Sequence, residues 1–378
     1  MKNRLVYILG FILVLSSCVF NNEEGLNQSD RSRVTNNQYS KGFSIEEHSW
    51  GNVLNVYNPW QGADVSYSYA LTKQDLQPES IFFDEIISTP ISRAVCLSTT
   101  HIAYLSRVGA DSVIAGVSGA NFISNKNVRE RVGKGLVRDV GYEQSINFEL
   151  LLSLKPDVVF TYGVGAEMAG YLQKLKDLKI PVVFIGDYLE ETPLGKAEWL
   201  KAFGLFVDAA KVADSIFTGI EDEYLMALSL VHAVEDKPKV FLNLPWKDVW
   251  FFPGNEGYLA RLIKDAKGDY VMSHLNGSQS YPHSIEAALN YASQAQVWLN
   301  TGSTQSINEL KSEFPLANRF PMVKNGSVYN NNRMVNEHGG NDFWESGVVY
   351  PQIILRDLIK IFHPDVIDHE LVYYQKLE

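Results

Sequence analysis

Residues Ser145 to Gly163 read SINFELLLSLKPDVVFTYG. Asn147 is a good N-cap, the apolar run behind it has helical length, and Lys155-Pro156 marks a turn into the strand VVF. Glu149 falls in the first turn of that helix. An acid there complements the helix dipole by about 0.3–1 kcal/mol, which is sufficient reason for it to exist. The chain repeats the device at Ser284 to Gly302, SIEAALNYASQAQVWLNTG, with Ser284 as cap and Glu286 in the same place. One such unit is an αβ step. Two, far apart in one chain, point to two similarly built halves.

Working outward from the first unit, the rhythm from Arg93 is β-α-β-α. AVCLST reads as a strand, HIAYLSRVG as a helix, SVIAGVSG as a strand, YLQKLKDLK as a helix and PVVFIGD as a strand. Continuous apolar strands alternating with helices call for a parallel sheet covered on both faces. The pattern stops near Asp187. After TPLGKAEWLKAFGLF comes an amphipathic run from Asp208 to Val231 whose apolar positions Ala209, Val212, Ile216, Ile220, Tyr224, Leu228 and Val231 keep helical spacing. Strands and helices then restart with KVFLNL and end on GVVYPQIILRDLIKIF. The expected fold class is α/β, with two parallel-sheet lobes (93–191 and 237–378) joined by one long α-helix within 192–236. Upstream, VLNVY and VSYSYAL alternate around the turn-rich NPWQGAD, so 41–92 is expected to hold a small β-hairpin appendage. Its aromatics Trp50, Trp60, Tyr67 and Tyr69 either pack it on the body or form a contact surface.

The first eighteen residues are expected to be a removable leader. MKNR is a charged n-region, LVYILGFILVL an apolar h-region too short for a comfortable permanent span, and Leu15-Ser16-Ser17-Cys18 looks like a bacterial lipobox. Cys18 is then the lipidated N-terminus of an envelope protein, on the periplasmic side of a membrane or on the cell surface. The alternative is an ordinary signal peptide with a chance cysteine. Residues 19–40 are polar and aperiodic, a flexible tether. Of two cysteines only Cys96 remains in the body, so no intramolecular disulfide is available and Cys96 reads as a small buried hydrophobe. Acids exceed bases by eleven, which excludes a basic stripe for nucleic acid.

Two α/β lobes on one long helix, behind a lipobox, resemble the substrate-binding proteins of ABC importers for ferric siderophores, haem and cobalamin. The resemblance covers nearly everything from Arg93 to Pro364. Its sharpest match is NFELLLSLKPDVVFTYG, similar to the family's N-x-E, apolar helix, L-x-P-D, apolar strand segment. It implies that Glu149 and Glu286 project at the rims of the two lobes and engage arginines of the permease. The match at Glu286 lacks the L-x-P-D tail and runs two residues longer to its strand. Capping alone explains either acid singly. It also implies capture of a metal complex by a monomer with no cofactor of its own, the ligand itself carrying iron or cobalt.

Ligands of open α/β sheets sit beyond the carboxyl ends of the strands. The cleft is therefore expected to draw on Thr99, Thr100 and His101 after the first strand, Asn121 and Phe122 after the second, and Tyr162 after VVF. In the second lobe Trp246, Trp250, Tyr281 and Trp344 beside Glu345 follow strands or sit in Gly- and Asn-rich loops; core packing is the competing role for each Trp. His101 and His338 could meet across a cleft and hold a metal, against the plainer reading of scattered histidines. No P-loop, dinucleotide fingerprint, His-Glu-x-x-His or nucleophile elbow occurs, GVSGA at Gly116–Ala120 included. No catalytic residue is expected. Two other functions stay open: a surface lipoprotein passing ligand to an outer-membrane receptor, and a chelatase built on the same two lobes.

Overall fold

The computed structural model describes residues 33–35, 37–73, 76–78, 82–142, 145–163 and 174–378. The expected leader, Cys18 and most of the expected tether lie outside the described residues. Among the described helices, none is long and apolar enough to cross a membrane.

The N-terminal lobe is built on a five-stranded sheet in the order Val182–Phe184, Val158–Thr161, Ala94–Cys96, Ile114–Val117, Arg138–Asp139. Every neighbouring pair in it is parallel. The central strand is wholly buried, Cys96 included, as its uninterrupted apolar run requires. The C-terminal lobe repeats the plan with Asp269–Tyr270, Lys239–Leu242, Val297–Leu299, Val328–Asn330 and an antiparallel edge strand, Gln375–Lys376. In each lobe the chain starts in mid-sheet, builds to one side, then returns to the other. That reversal creates a crevice at the carboxyl ends of the strands.

The expected hairpin is present as Gly51–Tyr57 and Ser66–Lys73, paired antiparallel. It is the middle of a five-stranded sheet completed by Arg33–Thr35, Phe43–His48 and Glu85–Thr89. The sheet is fused to the N-terminal lobe. The Phe184 N–H donates to the Tyr69 hydroxyl at 3.1 Å, and the rings of Trp60 and Tyr67 lie 5.3 and 4.8 Å from that of Phe184. Trp60 fits because position 163 is glycine: a Cβ there would come within 2.7 Å of the indole. Trp50 is buried against His48 and Phe83. Trp50, Trp60, Tyr67 and Tyr69 therefore pack inward. The expected tether also ends earlier than residue 40, because Arg33–Thr35 is a strand paired with 45–47 and the backbone of 38–42 is held by buried carboxylates.

The connection between lobes is two helices, Pro193–Phe206 and Ala210–Leu230. Thr192 caps the first by accepting the Gly195 N–H at 3.0 Å, and Pro193 supplies its first turn. Its residues are buried on nearly every side, so it is a core helix. The second spans 21 residues, a rod of about 32 Å. It buries Ala213, Phe217, Ile220, Tyr224 and Ala227. At its start this face differs by one residue from the expected one, with Val212 exposed and Ala213 buried. The reason is the preceding helix: a Cβ on Gly204 would meet that of Ala213 at 2.6 Å, so the two helices touch there along their smallest residues.

Candidate functional site

Both opening units fold as read. Asn147 accepts the Leu150 N–H at 2.9 Å and starts the helix Phe148–Leu154; Ser284 accepts the Ala287 N–H at 3.2 Å and starts Ile285–Ala292. Glu149 and Glu286 each stand exposed in a first turn, with the strands Val158–Thr161 and Val297–Leu299 following.

On the N-terminal wall, Ser98 caps the helix Thr99–Arg107, and its hydroxyl lies 3.0 Å from that of Thr100. Thr99 and Thr100 are half-buried at the mouth. His101 is not at the mouth. It is fully buried, with its ring between those of Phe160 and Phe203 at 6.2 and 6.0 Å. Burial pushes its pKa down to about 3, so it is neutral in the core and cannot meet the exposed His338 over a metal. The expectation failed because helix position 101 points back under the sheet rather than out of the loop. Asn121 and Phe122 are exposed as expected. Their loop is fixed by the Asp139 carboxylate, which accepts the N–H groups of Gly119, Ala120 and Gly141 at 3.2, 2.8 and 2.9 Å. Tyr162 is half-buried where its strand ends.

On the C-terminal wall, a cavity of about 600 Å³ opens beyond the strand ends, and Trp344, 46 % exposed, stands on it. Trp246 is 66 % exposed outside that lining, with the Lys247 ammonium 4.3 Å from its ring centroid. Trp250 is not a cleft residue: it is fully buried against Phe241, Phe252, Trp298 and Phe314, and its indole donates to Leu242 O at 2.9 Å. The strand Val249–Pro253 pairs with Ser280–Ser284, and alternation along it turns Trp250 inward. Tyr281 belongs to the same hairpin. Its hydroxyl donates to Asn276 O at 2.6 Å, and it does not line the cavity.

The residues that sequence reasoning missed are asparagines. Asn243 follows the strand Lys239–Leu242, Asn300 follows Val297–Leu299, and Asn331 and Asn332 follow Val328–Asn330; all four line the cavity. Asn243 and Asn300 turn out of their strands with left-handed backbone, φ 66 and 61, a conformation asparagine tolerates better than most residues. The signal was in the sequence, since FLN, WLN and VYNNN each put amides directly after a strand. A loop from this wall also reaches the other lobe. Asn336 Nδ2 donates to Asn121 O and Ile123 O at 3.0 and 3.1 Å, and Glu345 accepts the N–H groups of Ser124 and Asn125 at 2.7 and 2.8 Å. Among the described residues, no cluster of His, Cys, Asp or Glu is arranged to hold a metal ion. The cavity on the C-terminal wall has room for a solute, and among the described residues its lining holds no Cys, His or Lys.

Comparison with known proteins agrees with this geometry. An uncharacterized lipoprotein of Methanocaldococcus jannaschii is 28 % identical over 386 aligned residues, covering 93 % of this chain and 90 % of the relative. A periplasmic haem-binding protein of Pseudomonas aeruginosa superposes with a TM-score of 0.59 at 14 % identity, over 76 % of this chain and 98 % of that one. An ABC transporter substrate-binding protein of Listeria monocytogenes gives 0.53 at 16 % identity, over 72 % and 99 %. At these identities the structures speak for the fold alone. The periplasmic binding protein family model matches residues 95–332, more than half of the sequence, and the chain belongs to that family.

Proposed function

We propose that this protein captures an iron complex (siderophore or haem) or cobalamin between its lobes and delivers it to the permease of an ABC importer, anchored to the membrane through lipid on Cys18. The observation that carries the reading is the pair of post-strand surfaces that the lobes bring beside one another, tied by Asn336 and Glu345 to residues 121–125, with Phe122 exposed on the N-terminal lobe and Trp344 exposed on the cavity of the C-terminal lobe. Flat apolar rings beside a few polar groups suit a bulky, partly apolar chelate better than a sugar or an amino acid. The haem-binding and ABC-transporter descriptions of the structural neighbours support the class of ligand and partner, and the lipoprotein name of the relative supports the anchor. In this reading Glu149 and Glu286 dock the permease, and Thr100, Asn121, Phe122, Tyr162 and Trp344 contact the ligand. Trp246 joins them from the rim.

Titration of the intrinsic tryptophan fluorescence of the full chain tests it. Saturable quenching is expected with haem, a ferric hydroxamate complex or cyanocobalamin, and none with maltose, leucine or free ferric ion. Quenching by the second group alone would sink the reading.

A further inference from the structure

The loop 119–125 of the N-terminal lobe is held from both lobes. Its own lobe fixes the first part, where the Asp139 carboxylate accepts the Gly119 and Ala120 N–H groups. The opposite lobe fixes the rest. Asn336 Nδ2 donates to Asn121 O and Ile123 O, and Glu345 accepts the Ser124 and Asn125 N–H groups, so four backbone groups within five residues bond across the lobe boundary. The segment that reaches over is braced from within. Asn336 Oδ1 accepts the His338 and Gly340 N–H groups at 2.9 Å each, and the Asn336 N–H donates to Gly340 O at 2.8 Å, which closes 336–340 into a turn. Gly340 lets that turn approach. A Cβ there would lie 2.2 Å from Phe122 O and 2.6 Å from Asn336 Nδ2, so any side chain would push the two segments apart.

The joined segments are the ones that carry exposed aromatics. Phe122 lies inside the held loop, and Trp344 precedes Glu345 in the helix Asp342–Glu345. The contact is also far in sequence from the helices Pro193–Phe206 and Ala210–Leu230 that connect the lobes. Two bodies joined at a second place lose the hinge rotation that a single connection permits. On the reading of these surfaces as a ligand cleft, we infer that residues 336–345 are a clasp between the lobes that sets the spacing of Phe122 and Trp344, with Asn336 and Gly340 as positioning residues. Its hydrogen bonds all join the chain's own atoms, so it closes without a ligand.

The clasp has a titratable member. Glu345 meets Asp342 on its own helix and Arg129 from the N-terminal lobe; Arg129 is paired with Glu337, which also has His338 3.8 Å away. Arg107, Asp111 and Lys126 of the N-terminal lobe and Tyr350 and Tyr373 of the C-terminal lobe line the cavity on that side. Burial, the largest influence, raises the Glu345 pKa from 4.5 to about 7 in the clasped form. Opening returns the carboxyl group to water and to its ordinary value, so the clasped form binds the proton more tightly. Raising the pH from 5.5 to 8.5 should therefore shift the ratio of clasped to open chain about 30-fold toward open.

Paired spin labels test the clasp. In the full chain carrying Cys18→Ser, Glu130→Cys and Ser312→Cys place one label on an exposed site of each lobe, and the native Cys96 is buried. One narrow interlobe distance is expected at pH 5.5, with a longer population growing at pH 8.5 and no such growth in Glu345→Gln. Gly340→Ala and Asn336→Ala are expected to show the longer population already at pH 5.5, with an unchanged circular dichroism spectrum. Both should bind whichever of haem, ferrichrome or cyanocobalamin the wild type binds at least tenfold more weakly. Distances in both variants equal to those of the wild type would overturn the clasp. Altered distances with wild-type affinity would overturn the positioning role. A pH response retained in Glu345→Gln counts against Glu345 as its trigger. If the wild type binds none of the three probes, the chelate reading fails, and the distances still decide the clasp.

Discussion

Glu345 is a single carboxylate on which the two lobes meet. It sits in the short helix Asp342–Glu345, is 2 % exposed, and accepts two backbone N–H groups of the opposite lobe. Burial raises its pKa from the ordinary 4.5 to about 7; the N–H groups of Ser124 and Asn125 oppose the rise, Asp342 adds to it and Arg129 reduces it. The folded chain therefore holds a proton that the unfolded chain releases across this window. The stabilisation is complete below about pH 4.5 and is lost as the pH rises through about 7, on the order of 3 kcal/mol between the ends. Thermal melts of the wild type should show the midpoint falling from pH 5 to pH 8, and Glu345→Gln, which cannot titrate, should flatten that slope. An equal slope in the variant would place the titration elsewhere. Glu345 was legible in the sequence only as a residue beside Trp344, because burial by a distant loop leaves no local mark. His101 shows the converse: it follows a strand, as a ligand contact should, and one further helical step takes its ring into the core.

At the scale of elements, the sheet built from the first part of the chain depends on two acids, Glu190 just before the connecting helices and Glu198 within the first of them. Glu190 accepts the Ser40 hydroxyl, the Lys41 and Gly42 N–H groups at 3.1 and 2.9 Å and the Trp199 indole at 3.0 Å. Glu198, fully buried, accepts the N–H groups of Gln38, Tyr39 and Ser40 at 3.0, 2.8 and 2.8 Å and the Lys201 ammonium at 3.1 Å. Hydrogen bonds to a charged acceptor contribute about 1.5–3 kcal/mol each when made, and the donors cost as much when stranded. Glu198→Ala is therefore expected to lower stability in urea unfolding by about 3 kcal/mol or more. Limited proteolysis should then cut near residues 38–42 before the lobes are touched. A variant with wild-type stability and wild-type protease resistance would show that the segment is held by its apolar contacts alone. The two helices and the central hairpin were readable because their periods are local. The outer strands were not. Glu85–Thr89 pairs in parallel with Ser66–Lys73, and Phe43–His48 alternates for only half its length, so their places depend on partners rather than on their own pattern. Glu198 likewise reads as one more surface acid on a helix until the chain beneath it is seen.

The molecule as a whole follows the order that the sequence suggests, lobe, helical connection, lobe, because each αβ unit carries its own cap, period and turn. What the sequence hid is convergence. Residues 243, 300 and 331 come together only when three strands lie side by side in one sheet, and no window of sequence contains them. The repeated first-turn acids are the one feature legible at both scales. Glu149 and Glu286 are exposed, each one residue into a helix already capped by Asn147 or Ser284, and neither lines the cavity. Removing either charge should therefore spare the fold, at a cost of about 1 kcal/mol or less from the lost dipole interaction, and should spare ligand affinity. At an interface, charge pairs set encounter rate and register, and truncating one partner of a buried pair costs about 2–5 kcal/mol. The expected outcome for Glu149→Gln and Glu286→Gln is normal melting, normal ligand titration and weakened association with the permease in nanodiscs, with the double Lys variant weakest. The decisive measurement is the association rate against ionic strength: wild-type binding should slow as salt rises, and the double Gln variant should lose most of that dependence. If both Gln variants associate and support uptake at the wild-type rate, the repeated carboxylates do no more than complement their helix dipoles.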